Sequence, residues 1–241
     1  MRGLSAAALL DLWERGRGKG PVERALEMLS AAFPEEPREA LALRSIGQRD
    51  AALLALREAT LGSEMQSVVD CAGCGQRLEL TFRASDIRAY CAQEAPAEFD
   101  LKLGEYKLRV RPPNSVDLAA AVENAFGQAS QELFYRCLIS ANHDGRSISE
   151  LPAEIISAAG EQMAELDSQT NVQLAVSCAF CGHCRTTAFD IASFFWTEIE
   201  VWAARLLGEI HELASAYGWT EPEILALSGL RRQFYLEAVR S

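Results

Sequence analysis

Apolar residues over the first sixty positions recur every three or four: Ala8, Leu9, Leu12 and Trp13, then Leu26, Leu29 and Phe33, then Leu53, Leu54 and Leu56. That spacing lines one face of a helix. Breaks at Gly16 to Pro21, Pro34 to Pro37 and Ile46 to Gln48 divide the stretch into short helices, with Pro21 and Pro37 suited to first turns, where a missing N–H costs nothing. After Gly62 the period falls to two. Val68, Val69 and Leu78 to Phe82 read as strands. Leu101, Leu103, Tyr106, Leu108 and Val110 alternate with Lys102, Lys107, Arg109 and Arg111 about Gly104, the pattern of a half-exposed hairpin that Pro112 and Pro113 end. Helical spacing returns over residues 113 to 170, in Val116 to Phe126, Gln131 to Ile139 and Pro152 to Leu166, separated by Gly127 and the turn Asn142-His143-Asp144-Gly145. A short strand, Val172 to Val176, follows.

From Asp190 a long helix carries Ile191, Phe195, Ile199, Trp202, Leu206, Ile210 and Leu213 in an eleven-residue repeat, nearly in phase with a straight helix, so the stripe can dock along its whole length. Core packing is its default use, although Phe194, Trp196 and Val201 widen the apolar surface and leave room for a partner. Two shorter helices complete the chain. The first opens with Thr220 as cap, Pro222 in the first turn and Glu223 closing a capping box. A helix-turn-helix reader of DNA could end this way, but Glu221, Glu223 and Glu237 dilute the charge of Arg231 and Arg232.

With 49% hydrophobic and 24% charged residues in 241, the composition is that of a globular protein. The net charge of -11 opposes capture of nucleic acid through phosphate attraction. Residues 113 to 170 hold two basic and nine acidic side chains, so most of that excess is local. No stretch reaches the roughly 18 apolar residues of a membrane span, and the run Leu4 to Trp13 leads into Glu14 and Arg15 without a signal-cleavage pattern. A cytoplasmic protein is expected, and its seven cysteines are then candidates for metal ligation or burial rather than disulfides.

Their spacing favours metal. Cys71-Ala-Gly-Cys74-Gly75 and Cys178-Ala-Phe-Cys181-Gly182 are both C-x-x-C followed by glycine. The match extends outward: Val69 and Val176 stand two residues before each cluster, Phe82 and Phe189 eleven after its first cysteine. A C-x-x-C turn presents two thiolates on one side, and two such knuckles supply the four soft ligands of tetrahedral Zn(II). Cys71, Cys74, Cys178 and Cys181 are the predicted ligands of a structural zinc ribbon, with His183 and Cys184 as rivals to Cys181. A compact ribbon has about 15 to 20 residues between its knuckles, whereas 103 separate Cys74 from Cys178, so an insertion must interrupt this one. Neither pair follows a strand and opens a helix, as thioredoxin-like redox use requires. Cys91 and Cys137 stand at apolar helical positions and read as small buried hydrophobes. His143 and His211 lack the neighbours of a catalytic set, and no phosphate loop, nucleophile elbow or H-E-x-x-H occurs. An enzyme is not expected.

Several runs resemble the small assembly proteins of contractile phage tails and related injection systems, in the group of baseplate and hub-assembly chaperones. They are Leu12-Trp-Glu-Arg-Gly, Ser45-Ile-Gly-Gln-Arg-Asp-Ala-Ala-Leu-Leu-Ala-Leu-Arg-Glu, Arg111-Pro-Pro-Asn-Ser-Val-Asp-Leu, Cys178-Ala-Phe-Cys-Gly-His, Phe189-Asp-Ile-Ala-Ser-Phe-Phe-Trp and Tyr217-Gly-Trp-Thr-Glu-Pro-Glu-Ile-Leu. The resemblance implies a non-catalytic protein that helps assemble a baseplate or forms part of one, binds a baseplate or hub protein, and has no membrane role. Cys184 stands where such proteins are expected to carry another residue.

The expected fold is mainly α with a small β zinc ribbon, interrupted by a helical insertion. Residues 1–64 form an N-terminal helical segment, 65–112 the first ribbon half with its hairpin, 113–170 the acidic helical insertion, 171–190 the second ribbon half and 191–241 the C-terminal helical segment. The rival function is a zinc-ribbon nucleic-acid-binding or transcription-related protein, supported by Lys102, Lys107, Arg109 and Arg111 on one strand face.

Overall fold

The computed structural model describes residues 2–88, 96–123 and 129–240. Four helices open the chain: α1 (Ala6–Gly16), α2 (Pro21–Ala32), α3 (Arg38–Ala42) and α4 (Ile46–Leu61). Ser5 caps α1 by accepting the Ala8 N–H at 3.2 Å, and Pro21 occupies the first turn of α2. Ser45 and Gln48 form a reciprocal capping box at α4, each side chain bonded to the other's backbone N–H at 3.1 Å. The hairpin β1 (Glu64–Asp70) and β2 (Arg77–Arg83) follows, then the short helix α5 (Ala84–Ile87).

The middle of the chain holds β3 (Phe99–Leu103), β4 (Tyr106–Val110), α6 (Ser115–Glu123), α7 (Ala129–Cys137), β5 (Leu138–His143), β6 (Arg146–Ser147) and α8 (Ala153–Leu166). A 3-10 turn, Ser168–Asn171, leads to the second hairpin, β7 (Gln173–Ser177) and β8 (Cys184–Ala188). The long helix α9 (Ile191–Tyr217), α10 (Glu221–Leu225) and α11 (Gly229–Arg240) end the chain. The fold is mainly helical with small antiparallel sheets.

The predicted helix Gln131 to Ile139 stops at Cys137. From Leu138 the chain is extended, because Asp144 and Gly145 both take positive φ (50° and 77°) and turn β5 back into β6. β5 pairs with β4, Leu108 opposite Ala141, so the β3–β4 hairpin is half of a four-stranded sheet. Phe99, Leu101, Leu108 and Val110 bury the inner face of that sheet against Phe134, Ile156, Ala159 and Met163. The hairpin thus belongs to the core of the insertion and pairs with neither ribbon hairpin. The predicted helix Val116 to Phe126 runs partly beyond the described residues.

The basic strand face is also altered. Arg109 pairs with Glu98, and Arg111 lies past the end of β4, where it grips both oxygens of Asp117 at 2.6 and 2.9 Å. Asp117 in turn accepts the Asn114 N–H at 3.1 Å, while Asn114 caps α6 through the N–H groups of Val116 and Asp117. The run Arg111 to Leu118 is therefore a helix-capping device locked by a guanidinium.

The first half of α9 is core. Phe195, Trp196 and Ile199 pack with Leu12, Met28, Leu29, Leu53 and Leu56, each 2% exposed or less. Its second half, through Leu206, Ile210 and Leu213, packs with Leu10, Ile224 of α10 and Leu236 of α11. Val201 is left 68% exposed, off the stripe.

Candidate metal centre

Each knuckle hangs from a hairpin whose last paired residues, Asp70 with Arg77 and Ser177 with Cys184, hold the loop open by a fixed width. Within each loop the same two bonds recur. Cys71 N–H donates to the Gln76 carbonyl at 2.8 Å and Gly75 N–H to the Cys71 carbonyl at 2.8 Å; Cys178 and His183, and Gly182 and Cys178, repeat them at 2.9 Å. The turn requires a left-handed residue after its second cysteine, and Gly75 (φ 71°) and Gly182 (φ 73°) supply it without a Cβ penalty.

The two loops face one another. Cys71 Sγ lies 3.7 Å from Cys181 Sγ, and Cys74 Sγ 3.7 Å from Cys178 Sγ. All four sulfurs fall within 4.8 Å of one another. These separations are far beyond a disulfide bond of about 2.05 Å. Cys71 and Cys178 are buried beside Leu78 and Val176, whereas Cys74 and Cys181 face solvent. Behind the knuckles the two matching phenylalanines meet edge to face, Phe82 and Phe189 at 5.6 Å, with Phe194 of α9 against both. Asp190 then caps α9 through the N–H groups of Ala192 and Ser193, so the second knuckle leads straight into the core helix.

The four sulfurs influence one another's ionisation. Burial works against the Cys71 thiolate, but the Cys74 and Gly73 N–H groups and the thiols of Cys178 and Cys181 bring its pKa down to about 6. Cys74, in spite of the Gln76 N–H, is pushed up to about 12 by partial loss of water around its sulfur and by the three other sulfurs, and Cys181 is raised in spite of the His183 N–H. One sulfur ionises readily and its neighbours then resist, because like charges cannot crowd one site. A divalent ion reverses that preference and can be held by all four.

Cys71, Cys74, Cys178 and Cys181, predicted together, are together. His183 and Cys184 are not in the group. Cys184 stands six residues after Cys178, as Arg77 does after Cys71, and so occupies a strand position: it is exposed, 3.2 Å from Ser177 Oγ and 3.5 Å from the Gly182 carbonyl. Cys137 is buried at the end of α7, and Cys91 lies outside the described residues. His143 stacks on Tyr106, ring centroids 4.2 Å apart, and His211 is exposed on α9.

Sequence reasoning missed a second arrangement, at the start of α4. Ile46 N–H donates to the Pro113 carbonyl at 2.9 Å, and Gly47 N–H to the Asp167 carboxylate at 3.0 Å. A Cβ on Gly47 would stand 1.9 Å from Asp167 Oδ1. The two ends of the insertion therefore converge on the first turn of one N-terminal helix. Asp50 lies in the next turn, 2.8 Å from Arg49 Nε; burial, with smaller contributions from Asp190 and Asp167, pushes its pKa up to about 6 in spite of Arg49.

A family model described as T4 bacteriophage base plate protein matches residues 22–196. That span runs from the first turn of α2 to the start of α9 and includes both knuckles. No curated protein and no solved structure matches the chain.

Proposed function

The chain belongs to the T4 bacteriophage base plate protein family, and from that premise we propose that it is a non-catalytic, zinc-clamped assembly factor or component of a contractile-tail or injection-system baseplate, acting by binding other baseplate proteins. The family match over most of the chain carries this reading. Zinc fits the donor set. Four thiolates are the soft ligands of a closed structural site, and sulfurs about 2.3 Å from a tetrahedral centre stand about 3.8 Å apart, which the two 3.7 Å separations match. Cys71, Cys74, Cys178 and Cys181 would hold the ion, which would supply cross-linking and no reaction. Its work would be to fasten two hairpins that otherwise meet through a small apolar cluster around Leu78 and Val176 and through the Phe82–Phe189 contact.

The nucleic-acid alternative rests on the basic strand face, and two of its four cations are already engaged, Arg109 with Glu98 and Arg111 with Asp117. Co-expression of the chain with the neighbouring tail genes, followed by affinity capture, tests the reading. Recovery of a baseplate or hub protein is the expected result. Recovery of nucleic acid or of a metabolic complex, with no tail protein, refutes it.

A further inference from the structure

The end of α1 and the turn into α2 read Arg15-Gly16-Arg17-Gly18-Lys19-Gly20, three cations alternating with three glycines in a chain whose net charge is -11. This turn is anchored from below. Glu27 of α2, its side chain 10% exposed, accepts from Lys19 Nζ at 2.7 Å, Arg38 Nη1 at 3.0 Å and Arg15 Nε at 3.3 Å. Burial works against its charge, but Lys19, Arg38 and Arg15 together hold the carboxyl below the usual carboxylate range. A Cβ on Gly16 would stand 2.1 Å from the Trp196 ring, and Gly18 takes a positive φ of 73°, so two of the glycines are needed for the backbone to run this close and turn. Arg17 lies over Trp13, its guanidinium carbon 4.9 Å from the ring centre. The charges of the turn do not balance. Arg15, Lys19 and Arg38 share two carboxylates, Glu27 and Glu23, while Arg17 is exposed and makes no ion pair among the described residues. Glu14, beside Arg15 in sequence, pairs with none of the four, and Arg24 is taken by Glu200 at 3.6 Å. Arg15 and Lys19, both partly exposed, each spend one N–H on Glu27. A guanidinium has five N–H donors and an ammonium three, so most of the donors on these three side chains are left for an acceptor outside the chain.

We propose that this turn docks an acidic segment of another baseplate protein, in which two or more neighbouring Asp or Glu side chains bond to Arg15, Arg17 and Lys19. Glu27 is a positioning residue: it holds two of the three cations in place without quenching them, so less side-chain freedom is lost when the segment binds. An acidic segment is repelled by most of a surface with a net charge of -11 and attracted here, which gives the encounter one place on the molecule. The same net charge sets a nucleic acid, a long polyanion, at a disadvantage. This rests on the protein-binding reading above and adds to it where the partner sits and what chemistry it carries.

The test is to pan a random dodecapeptide library at low salt against the full chain and measure the enriched peptides by fluorescence polarisation. Enriched sequences should hold adjacent Asp and Glu, against the sign of the protein's own charge. Arg17→Glu, an exposed change, should weaken their binding about three- to tenfold, since one ion pair is lost and one repulsion gained; Arg15→Gln should weaken it about two- to threefold. Arg231→Glu, on the exposed side of α11, changes the net charge as much as Arg17→Glu and should have less than about a twofold effect. A labelled twelve-nucleotide single strand of DNA should bind more weakly than the peptides. Basic or apolar enriched peptides, no enrichment, equal effects of Arg17→Glu and Arg231→Glu, or tighter binding of the DNA would overturn the proposal. If the Arg15→Gln, Arg17→Glu double variant loses the peptides and still captures co-expressed baseplate proteins at the wild-type level, the turn is not their dock and only the baseplate reading stands. If the peptides behave as expected and no baseplate protein is captured, the site for an acidic segment stands and that reading fails.

Discussion

Gly47→Ala sets two effects against each other within the first turn of α4. Alanine in place of glycine in a helix is worth about 0.5–1 kcal/mol through propensity alone. Against this, the new Cβ would lie 1.9 Å from Asp167 Oδ1, 2.5 Å from its Cγ and 2.9 Å from Oδ2. The carboxylate must withdraw, and Asp167 is buried at 5% exposure. Its bond from Gly47 N–H then breaks, a charge-assisted hydrogen bond worth about 1.5–3 kcal/mol, and relocating a buried carboxylate adds about 1–3 kcal/mol of desolvation and strain. The clash wins, by about 2–4 kcal/mol net. Urea unfolding followed by circular dichroism measures it, with Gly208→Ala as control: there a Cβ meets nothing within 4 Å, so the propensity gain should appear unopposed. Asp167→Ala removes the obstacle, so the double variant should lose less than the sum of the two singles. A Gly47→Ala protein as stable as wild type, or strictly additive losses, would show that α4 and the end of α8 do not meet as described.

Cys181→Ser should abolish zinc and loosen both hairpins while Cys184→Ser keeps one zinc per chain; elemental analysis reads both, and the opposite pattern would reassign the ligand. Addition of a strong chelator should raise protease sensitivity in the two hairpins and leave most of the helical signal of α1 to α4, since structural zinc contributes on the order of 10 kcal/mol to the fold it closes; unchanged proteolysis would refute the clamp. Asp50 has a folded pKa of about 6, above its unfolded value near 3.8, so the folded state holds the proton more tightly and this contribution, full below pH 4, is lost as pH rises through about 6. Asp50→Asn should therefore gain on wild type by about 1–1.5 kcal/mol between pH 5 and pH 7.5 in urea titrations; parallel pH profiles for the two proteins would exclude it.

The cysteine site was legible because its signal is local and repeated: the same C-x-x-C-G, the same flanking valine and the same distant phenylalanine occur twice. Cys184, the rival of Cys181 in sequence, pairs with Ser177 as a strand residue and stands outside the group of four sulfurs that converge. The long apolar stripe of α9 also read correctly, although only the structure divides it between two clusters, at about Trp202. β5 and β6 were missed because Asp144-Gly145 was read as a spacer between helices, when it is a hairpin turn with strand on both sides. Gly47 and Asp167 lie 120 residues apart, and no periodicity carries a contact of that kind.

The first turn of α4 has a bearing on the order in which this chain can fold during synthesis. Three of its N–H groups are satisfied from three places, Gln48 by Ser45, Ile46 by Pro113 and Gly47 by Asp167, and only the first of these has left the ribosome when α4 has. The apolar face of the same layer waits still longer, for Phe195 and Ile199. The earliest-made helices are thus completed by the latest-made ones, and the nascent N-terminal layer must stay open until α9 emerges. A ribosome-stalled fragment ending before α9 is then a substrate for general chaperones and proteases, although it already contains every residue of the first four helices.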